Sequence, residues 1–266
     1  MKPSIRNLPL TLLLLGSIAL APALANPLGP QVVGGSATVQ GQGTSTVTVT
    51  QQSNSAIINW NTFNIGAGEQ TNITMPSSSS VQLDRVTGNL GASQIFGTLS
   101  SNGRVFLVNP DGILFGPNAV INAAGFLATT NDIKNDDFMA GRYNFSVPGR
   151  LDASIVNQGV ITAQNSGFAA LVAPGVRNSG TITATLGTVA LASGNAFTLD
   201  FYGDRLITLG VNDSVGAAVK DVATGQTLNA LVANEGKLSA NGGRVELTAA
   251  AARTVVDSVI NNTGVI

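Results

Sequence analysis

The segment "NQGVITA" at Asn157–Ala163 is followed 21 residues later by "NSGTITA" at Asn178–Ala184, then by "NEGKLSA" from Asn234 and a clipped "NTGVI" from Asn262. All four fit the template Asn-x-Gly-x-(Ile/Leu)-(Thr/Ser)-Ala. Seven or eight residues after each of the first three template glycines, a second glycine opens another short apolar stretch: "GFAALVA" from Gly167, "GTVALAS" from Gly187 and "GRVELTA" from Gly243. Short strands separated by Asn and Gly corners, in a unit of about 20 residues, are the mark of a solenoid. Along such strands successive side chains alternate sides, with Val160 and Thr162 on one face and Ile161 and Ala163 on the other. One coil cannot cover its own inward face, so coils stack, strand on strand, at about 4.8 Å. Glycine supplies the corner conformations with positive φ. Asparagine tolerates them and can hydrogen-bond to its stacked neighbours. The fold class expected is therefore all-β, a parallel β-helix.

The steps between template asparagines are uneven, at 21, 56 and 28 residues. The long step carries 35 residues beyond one coil, and residues 195–228, "NAFTLDFYGDRLITLGVNDSVGAAVKDVATGQTL", break the template. They read as an extra-helical hairpin or small sheet on the side of the solenoid. A smaller excess around "AAARTVVDS" reads as a longer corner loop. The same grammar extends backwards: "NGRVFLV" from Asn102 is like "GGRVELT" from Gly242, and "AVINAAGFLATT" from Ala119 is like "GVITAQNSGFAALVA" from Gly159. Further upstream, alternating residues from Ser36 to Met75 predict more strands. The open first coil needs protection from edge pairing, which makes residues 26–55 a candidate cap. The chain stops in mid-repeat at Ile266, so the solenoid is expected to continue in a longer protein.

At the N-terminus, Lys2 and Arg6 precede the apolar run "LPLTLLLLGSIALA" and the small residues Ala23–Ala25. That is the layout of a secretory signal peptide over residues 1–25, cleaved between Ala25 and Asn26. The run is shorter than the roughly 20 residues of a membrane span, although an uncleaved anchor is an alternative. The mature chain keeps eleven basic and fourteen acidic residues, a formal charge of −3. Without a basic run there is nothing to neutralise phosphates, so no nucleic-acid partner is expected. The chain has neither Cys nor His. This removes disulfides, thiolate metal sites, the commonest general base and the commonest metal ligand. No cofactor or metal is expected.

Between the apolar runs "RVFLV" and "ILF" stands Asn109-Pro110-Asp111-Gly112, followed by Ile113. The tetrapeptide suits a type I β-turn, with Asn at the first position, Pro fixing φ at the second and Gly at the fourth. Taken alone it is a hairpin or a tight solenoid corner.

In its surroundings, "VFLVNPDGILFGPNAVINAAGFLATT", this turn resembles part of the N-terminal secretion domain of filamentous-haemagglutinin-like proteins exported by two-partner secretion. The likeness extends upstream through "INWNTFNIGAGEQTNI" (Ile58–Ile73) and "LDRVTGNLGASQIFGTLSSNGRVFLVNP", and downstream through "NDIKNDDFMAGRYNFSVPG" (Asn131–Gly149), covering most of residues 30–250. The resemblance implies a right-handed parallel β-helix with an N-terminal cap, spanning residues 26–266 of this chain. It also implies recognition, while unfolded, by the periplasmic POTRA domains of an outer-membrane TpsB-type transporter, and secretion to the cell surface or beyond. The family motif Asn-Pro-Asn-Gly-Ile, matched by Asn109, Pro110, Asp111, Gly112 and Ile113, lies in the region needed for export. Two positions depart from the pattern. Asp111 and Asp84 each stand where the family usually has Asn, exchanging an amide donor for a charge. A second motif, Asn-Pro-Asn-Leu, is not found. Adhesin, haemolysin and toxin cargoes all remain open, as do surface glycans or receptors as partners of regions beyond this chain.

Other residues that could carry chemistry have plainer roles. Asp136-Asp137, the adjacent acidic pair, reads as loop capping in preference to calcium ligation. Trp60 could stack on a sugar, but with Phe63 it is expected to pack the cap or first coils. A β-helical polysaccharide lyase or hydrolase would need acids and bases recurring on one face, whereas Arg150, Arg177, Arg205 and Arg244 read as isolated. A free-standing carbohydrate-binding adhesin is compatible with the same fold. No enzymatic activity is expected.

Overall fold

From the strand Arg104–Val108 the chain turns a corner into Ile113–Phe115, turns again into Val120–Ala123, and returns as Gly125–Thr129 directly beside its starting strand. This circuit is one coil, and its repetition builds three sheets. The first holds Arg104–Val108 and seven other strands, the second Ile113–Phe115 and five others, and the third Val120–Ala123 and seven others. All neighbours in these sheets run parallel except at the N-terminal end. There Gln31–Gly34 lies antiparallel on Ser55–Trp60, and Ala37–Gln40 antiparallel on Thr46–Gln51. Thr46–Gln51 already pairs in parallel with Gln70–Thr74, so the antiparallel cap is confined to Gln31–Gln40 and the bridge of Leu28 to Thr62. The computed structural model describes residues 25–201, 206–210, 215–250 and 258–266. The expected signal peptide, apart from Ala25, lies outside the described residues, as does most of the loop expected around "AAARTVVDS". The molecule is a parallel β-helix.

The period-two pattern sorts side chains into two cores. Inward residues such as Val49, Ile58, Val105, Ile121, Ile161, Ile182 and Leu191 fill the axis of the coil. Outward residues of the first sheet, among them Phe106, Leu127 and Phe168, form a second, lateral core. Its cover comes from excursions. Residues between Thr129 and Ser154 carry a short helix, Asn135–Met139, and the strand Asn144–Phe145. The 56-residue step leaves the coil after Ser193 and returns at Ala230. Within it, Phe197–Leu199 pairs antiparallel with Ile207–Leu209 and with Asn144–Phe145, a small sheet drawn from both excursions. Phe145 stacks on Phe197 with ring centroids 4.6 Å apart, and Arg85 ties the first excursion down through Asp132 at 2.8 Å and the Ile133 carbonyl at 2.7 Å. Both excursions leave at the same place, the corner from the first sheet into the second.

The four template asparagines stack. Asn157 Nδ2 donates to Asn178 Oδ1 at 2.8 Å, Asn178 Nδ2 to Asn234 Oδ1 at 2.8 Å, and Asn234 Nδ2 to Asn262 Oδ1 at 2.7 Å. One likeness read from sequence pairs differently. "GFLATT" and "GFAALVA" align Phe126 with Phe168, but the structure pairs Phe126 with Ala169. The one-residue slip sends Phe126 into the axis and Phe168 out to the lateral core.

Candidate functional site: the Asn109 corner

Asn109 ends the strand Arg104–Val108 at the corner between the first two sheets, and it is 1% exposed. Its backbone carbonyl accepts from Gly112 N–H at 3.1 Å, closing the turn, and its Oδ1 accepts from Asp111 N–H at 2.9 Å. Its Nδ2 reaches the preceding coil, donating to the Gly91 carbonyl at 3.1 Å and Ser93 Oγ at 3.0 Å. One amide thus fixes its own turn and the corner stacked beneath it. Gly112 takes φ +111°, and a Cβ there would sit 2.8 Å from the Ser154 carbonyl of the following coil. Ile113, fully buried, begins the next strand between Ser93 and Ile155. Of the sequence-read options the chain takes the corner, since the strands on either side belong to different sheets.

Pro110 and Asp111 are half-buried at the tip. Arg150 N–H donates to the Pro110 carbonyl at 3.0 Å, and its guanidinium lies 3.9 Å from Asp111 and 3.1 Å from Asp152. The Arg150 hydrogen bond holds the Asp152 carboxyl below its usual range and pushes the guanidinium up. From sequence Arg150 reads as isolated, as do Arg177, Arg205 and Arg244. In the structure Arg177 meets Asp221 at 2.7 Å and Glu235 at 3.2 Å, and Arg244 meets Glu246 at 3.3 Å. Asp152 and Glu246 stand two residues away in sequence, while Asp221 and Glu235 come from distant segments. Arg205 lies outside the described residues. Arg177 belongs to the second sheet and Arg244 to the first, so these pairs share no face.

The remaining sequence-read residues are dispersed. Trp60 and Phe63 are fully buried in the axial core, edge to face at 5.5 Å. Trp60 Nε1 donates at 2.8 Å to Asp84, which also accepts from Gln82 Nε2. Asp84 pairs with Ile58 and Leu107, both axial residues, so its carboxyl points inward. Burial pushes its pKa up to about 7 against the two hydrogen bonds, which pull it down. Among the described residues, the buried Gln82 Oε1 and Gln51 Oε1 have no hydrogen-bond partner. This inward polar cluster was not anticipated from sequence. Ala25 N–H donates to Glu69 at 2.8 Å, and Asn26 is buried, its Nδ2 donating to the Thr44 carbonyl. Asp136 and Asp137 sit in the short helix, with Arg142 on Asp137 at 2.7 Å. No group of three metal-ligating side chains occurs among the described residues.

Comparison with known proteins places this corner in context. A family profile described as the TPS secretion domain matches residues 25–266. Two heme/hemopexin-binding proteins of Haemophilus influenzae are 34% and 30% identical to the chain, over 80% and 97% of its length. The chain spans only about a quarter of those relatives, 23% and 28%. The crystal structure of the HMW1 secretion domain from Haemophilus influenzae superposes with a TM-score of 0.67 at 32% identity, covering 84% of this chain and 57% of that one. A β-helix of this kind, matched along its whole described length by that profile, belongs to the TPS secretion domain family.

Proposed function

We propose that this chain is the export signal of a larger exoprotein. In this reading residues 1–25 direct it to the periplasm and are removed before Asn26. The unfolded chain is then recognised by the POTRA domains of an outer-membrane TpsB-type transporter, and the β-helix forms coil by coil at the cell surface. TPS exoproteins are secreted through the outer membrane with a partner transporter, and the family is not an enzyme family. The observation that carries the reading of the motif is the burial of Asn109. Its amide and carbonyl groups are all engaged within the fold. A partner reading Asn109 to Ile113 would meet those groups only before folding, because afterwards just Pro110 and Asp111 are within reach. Nearest-neighbour stacking supports the vectorial step: each coil that forms outside adds its own stabilisation and opposes backward sliding. The antiparallel strands Gln31–Gly34 and Ala37–Gln40 would protect the first coil's edges meanwhile.

The test is release of the chain from cells with and without a cognate transporter, comparing wild type with Asn109→Ala/Pro110→Ala and with Asn178→Ala. The last variant weakens the fold far from the corner. Transporter-dependent release that collapses in the first variant and persists in the second supports the motif as an export signal. Loss in both, in step with stability, makes it a folding element, and transporter-independent release of wild type ends the secretion reading. The cargo of the whole protein is proposed as adhesin-like. A heme- or hemopexin-binding cargo is the second reading, favoured by the relatives' names, and retention of the full-length protein on hemopexin would decide for it.

A further inference from the structure

Glu69 is a buried acid without a cation. It is 6% exposed, and among the described residues no lysine or arginine pairs with it. Buried charges are ordinarily paired. Its carboxylate instead accepts two backbone N–H groups, Gly66 on Oε2 at 2.7 Å and Ala25 on Oε1 at 2.8 Å. The first closes the loop that leads into the strand Gln70–Thr74. The second comes from the residue that signal-peptide cleavage before Asn26 would remove.

A chain cut there starts inside the fold. Asn26 is 1% exposed and Pro27 is buried. The Asn26 Nδ2 donates to the Thr44 carbonyl at 2.8 Å, and its Oδ1 accepts from Thr71 Oγ1 at 3.3 Å. Thr71 pairs with the axial Val47, and Leu28 bridges to Thr62, so the first residues are held against the first coils. Cleavage therefore does two things at one place. It takes the Ala25 donor from a carboxylate that solvent barely reaches, and a buried acceptor left unmatched is costly. It also turns the Asn26 nitrogen into an ammonium. That nitrogen is three covalent bonds from the Ala25 nitrogen and within about 4 Å of it, inside the range over which a charge acts on a carboxylate.

We propose that Glu69 is the receptor for the α-ammonium group of Asn26, so that removal of the signal peptide completes the cap with an ion pair the uncleaved chain cannot form. This assignment rests on cleavage before Asn26, as proposed above. In the uncleaved chain the Ala25 peptide N–H offers Glu69 a neutral donor and leaves its charge unmatched. The ammonium matches that charge and brings charge-assisted hydrogen bonds, the stronger kind. The pair joins the first residue of the mature chain to the Gly66 loop. The Glu69 carbonyl, accepting from Thr98 N–H at 3.0 Å, carries the connection to the next coil. The fold thereby registers its own processing: the first coils reach full stability only once the signal peptide is gone.

N-terminal sequencing of the exported chain comes first, and it should begin at Asn26. Two purified chains are then compared, one starting at Asn26 and one at Ala21, each with Glu69 and with Glu69→Gln. The longer start keeps the Ala25 N–H and moves the charge away. With Glu69 in place, urea denaturation should give the Asn26 start an unfolding equilibrium constant about tenfold smaller than the Ala21 start. In Glu69→Gln the two starts should agree within about twofold. Under native conditions, acylation of the Asn26 amine by an activated ester, followed by mass spectrometry of the N-terminal peptide, should run about tenfold faster in Glu69→Gln. An exported chain that begins elsewhere removes the cleavage reading and the pairing with it. One that begins at Asn26, but whose two starts are equally stable or whose amine reacts equally fast with and without Glu69, keeps that reading and overturns the pairing alone.

Discussion

Two sets of buried polar side chains lie in one solenoid, and they meet different fates. In the C-terminal coils, Asn157, Asn178 and Asn234 are fully buried and each amide donates to the next. In the N-terminal coils, Gln82 and Asp84 are equally buried, yet the Gln82 carbonyl oxygen has no partner and the Asp84 carboxyl is desolvated. The contrast comes from repetition. Where the sequence repeats, every polar group meets an identical one a strand spacing away, and satisfaction at one rung guarantees it at the next. A polar group that occurs once must use whatever the axis provides, here one indole N–H and one amide. Periodicity makes a buried amide cheap, and its absence makes a buried carboxylate titratable.

The sharpest way to probe that contrast is pH. Asp84 holds its proton in the fold up to about pH 7, whereas in the unfolded chain it loses it near pH 4. Between those values the native state binds the extra proton, so stability is fully present below about pH 4 and falls as pH rises, levelling off above about 7. The expected loss is about 4 kcal/mol across the window. Urea denaturation at unit pH steps would measure it against Asp84→Asn, which should flatten the slope and raise stability at pH 8. An unchanged slope in the variant would mean the carboxyl is not what titrates.

Breaking the ladder should cost somewhat less. Asn178→Ala strips Asn157 of its acceptor and Asn234 of its donor, for about 3 kcal/mol, with no dependence on pH between 4 and 8. Equilibrium unfolding of the variant reads it directly, and a loss under 1 kcal/mol would show that the remaining bonds to Gly159 compensate. At the bottom of the scale stands the exposed Arg150–Asp152 pair, free to exchange its partner for water. Arg150→Ala should shift stability by about 0.5 kcal/mol or less, and less still in high salt. A larger, salt-independent loss would mean that the arginine packs the Asn109 corner through its aliphatic stem.

The same contrast explains how much of the molecule could be read in advance. The Asn-x-Gly template identified the C-terminal coils, because the position that stacks Asn157 on Asn178 and Asn234 is asparagine each time. One coil earlier the same row holds Phe115, and before that Ile95. The fold is continuous there while the chemical label is not. Phe126 and Phe168 align in sequence but not in space for a related reason: the corners before them differ in length, Ala124 alone against residues 164–167, and a register shift of one residue reverses a side chain's face without disturbing the apolar pattern. At the Asn109 corner, the turn was legible from four consecutive residues. Its anchors at Gly91, Ser93 and Arg150 were not, because they arrive from neighbouring coils. Nor was the small sheet of Asn144–Phe145 and Phe197–Leu199, since two separate excursions supply it and neither carries a repeat.

Both long excursions depart from the corner between the first and second sheets. That gives the solenoid one edge at which material can be added without touching the pitch of the spiral. A reporter domain or epitope grafted into the exposed stretch near Arg150 and Leu151 would hang from that edge like a flag from a mast. The coils above and below would stack as before. For an exported protein this is a practical handle: a display position whose cargo can be exchanged while the helical rise stays fixed.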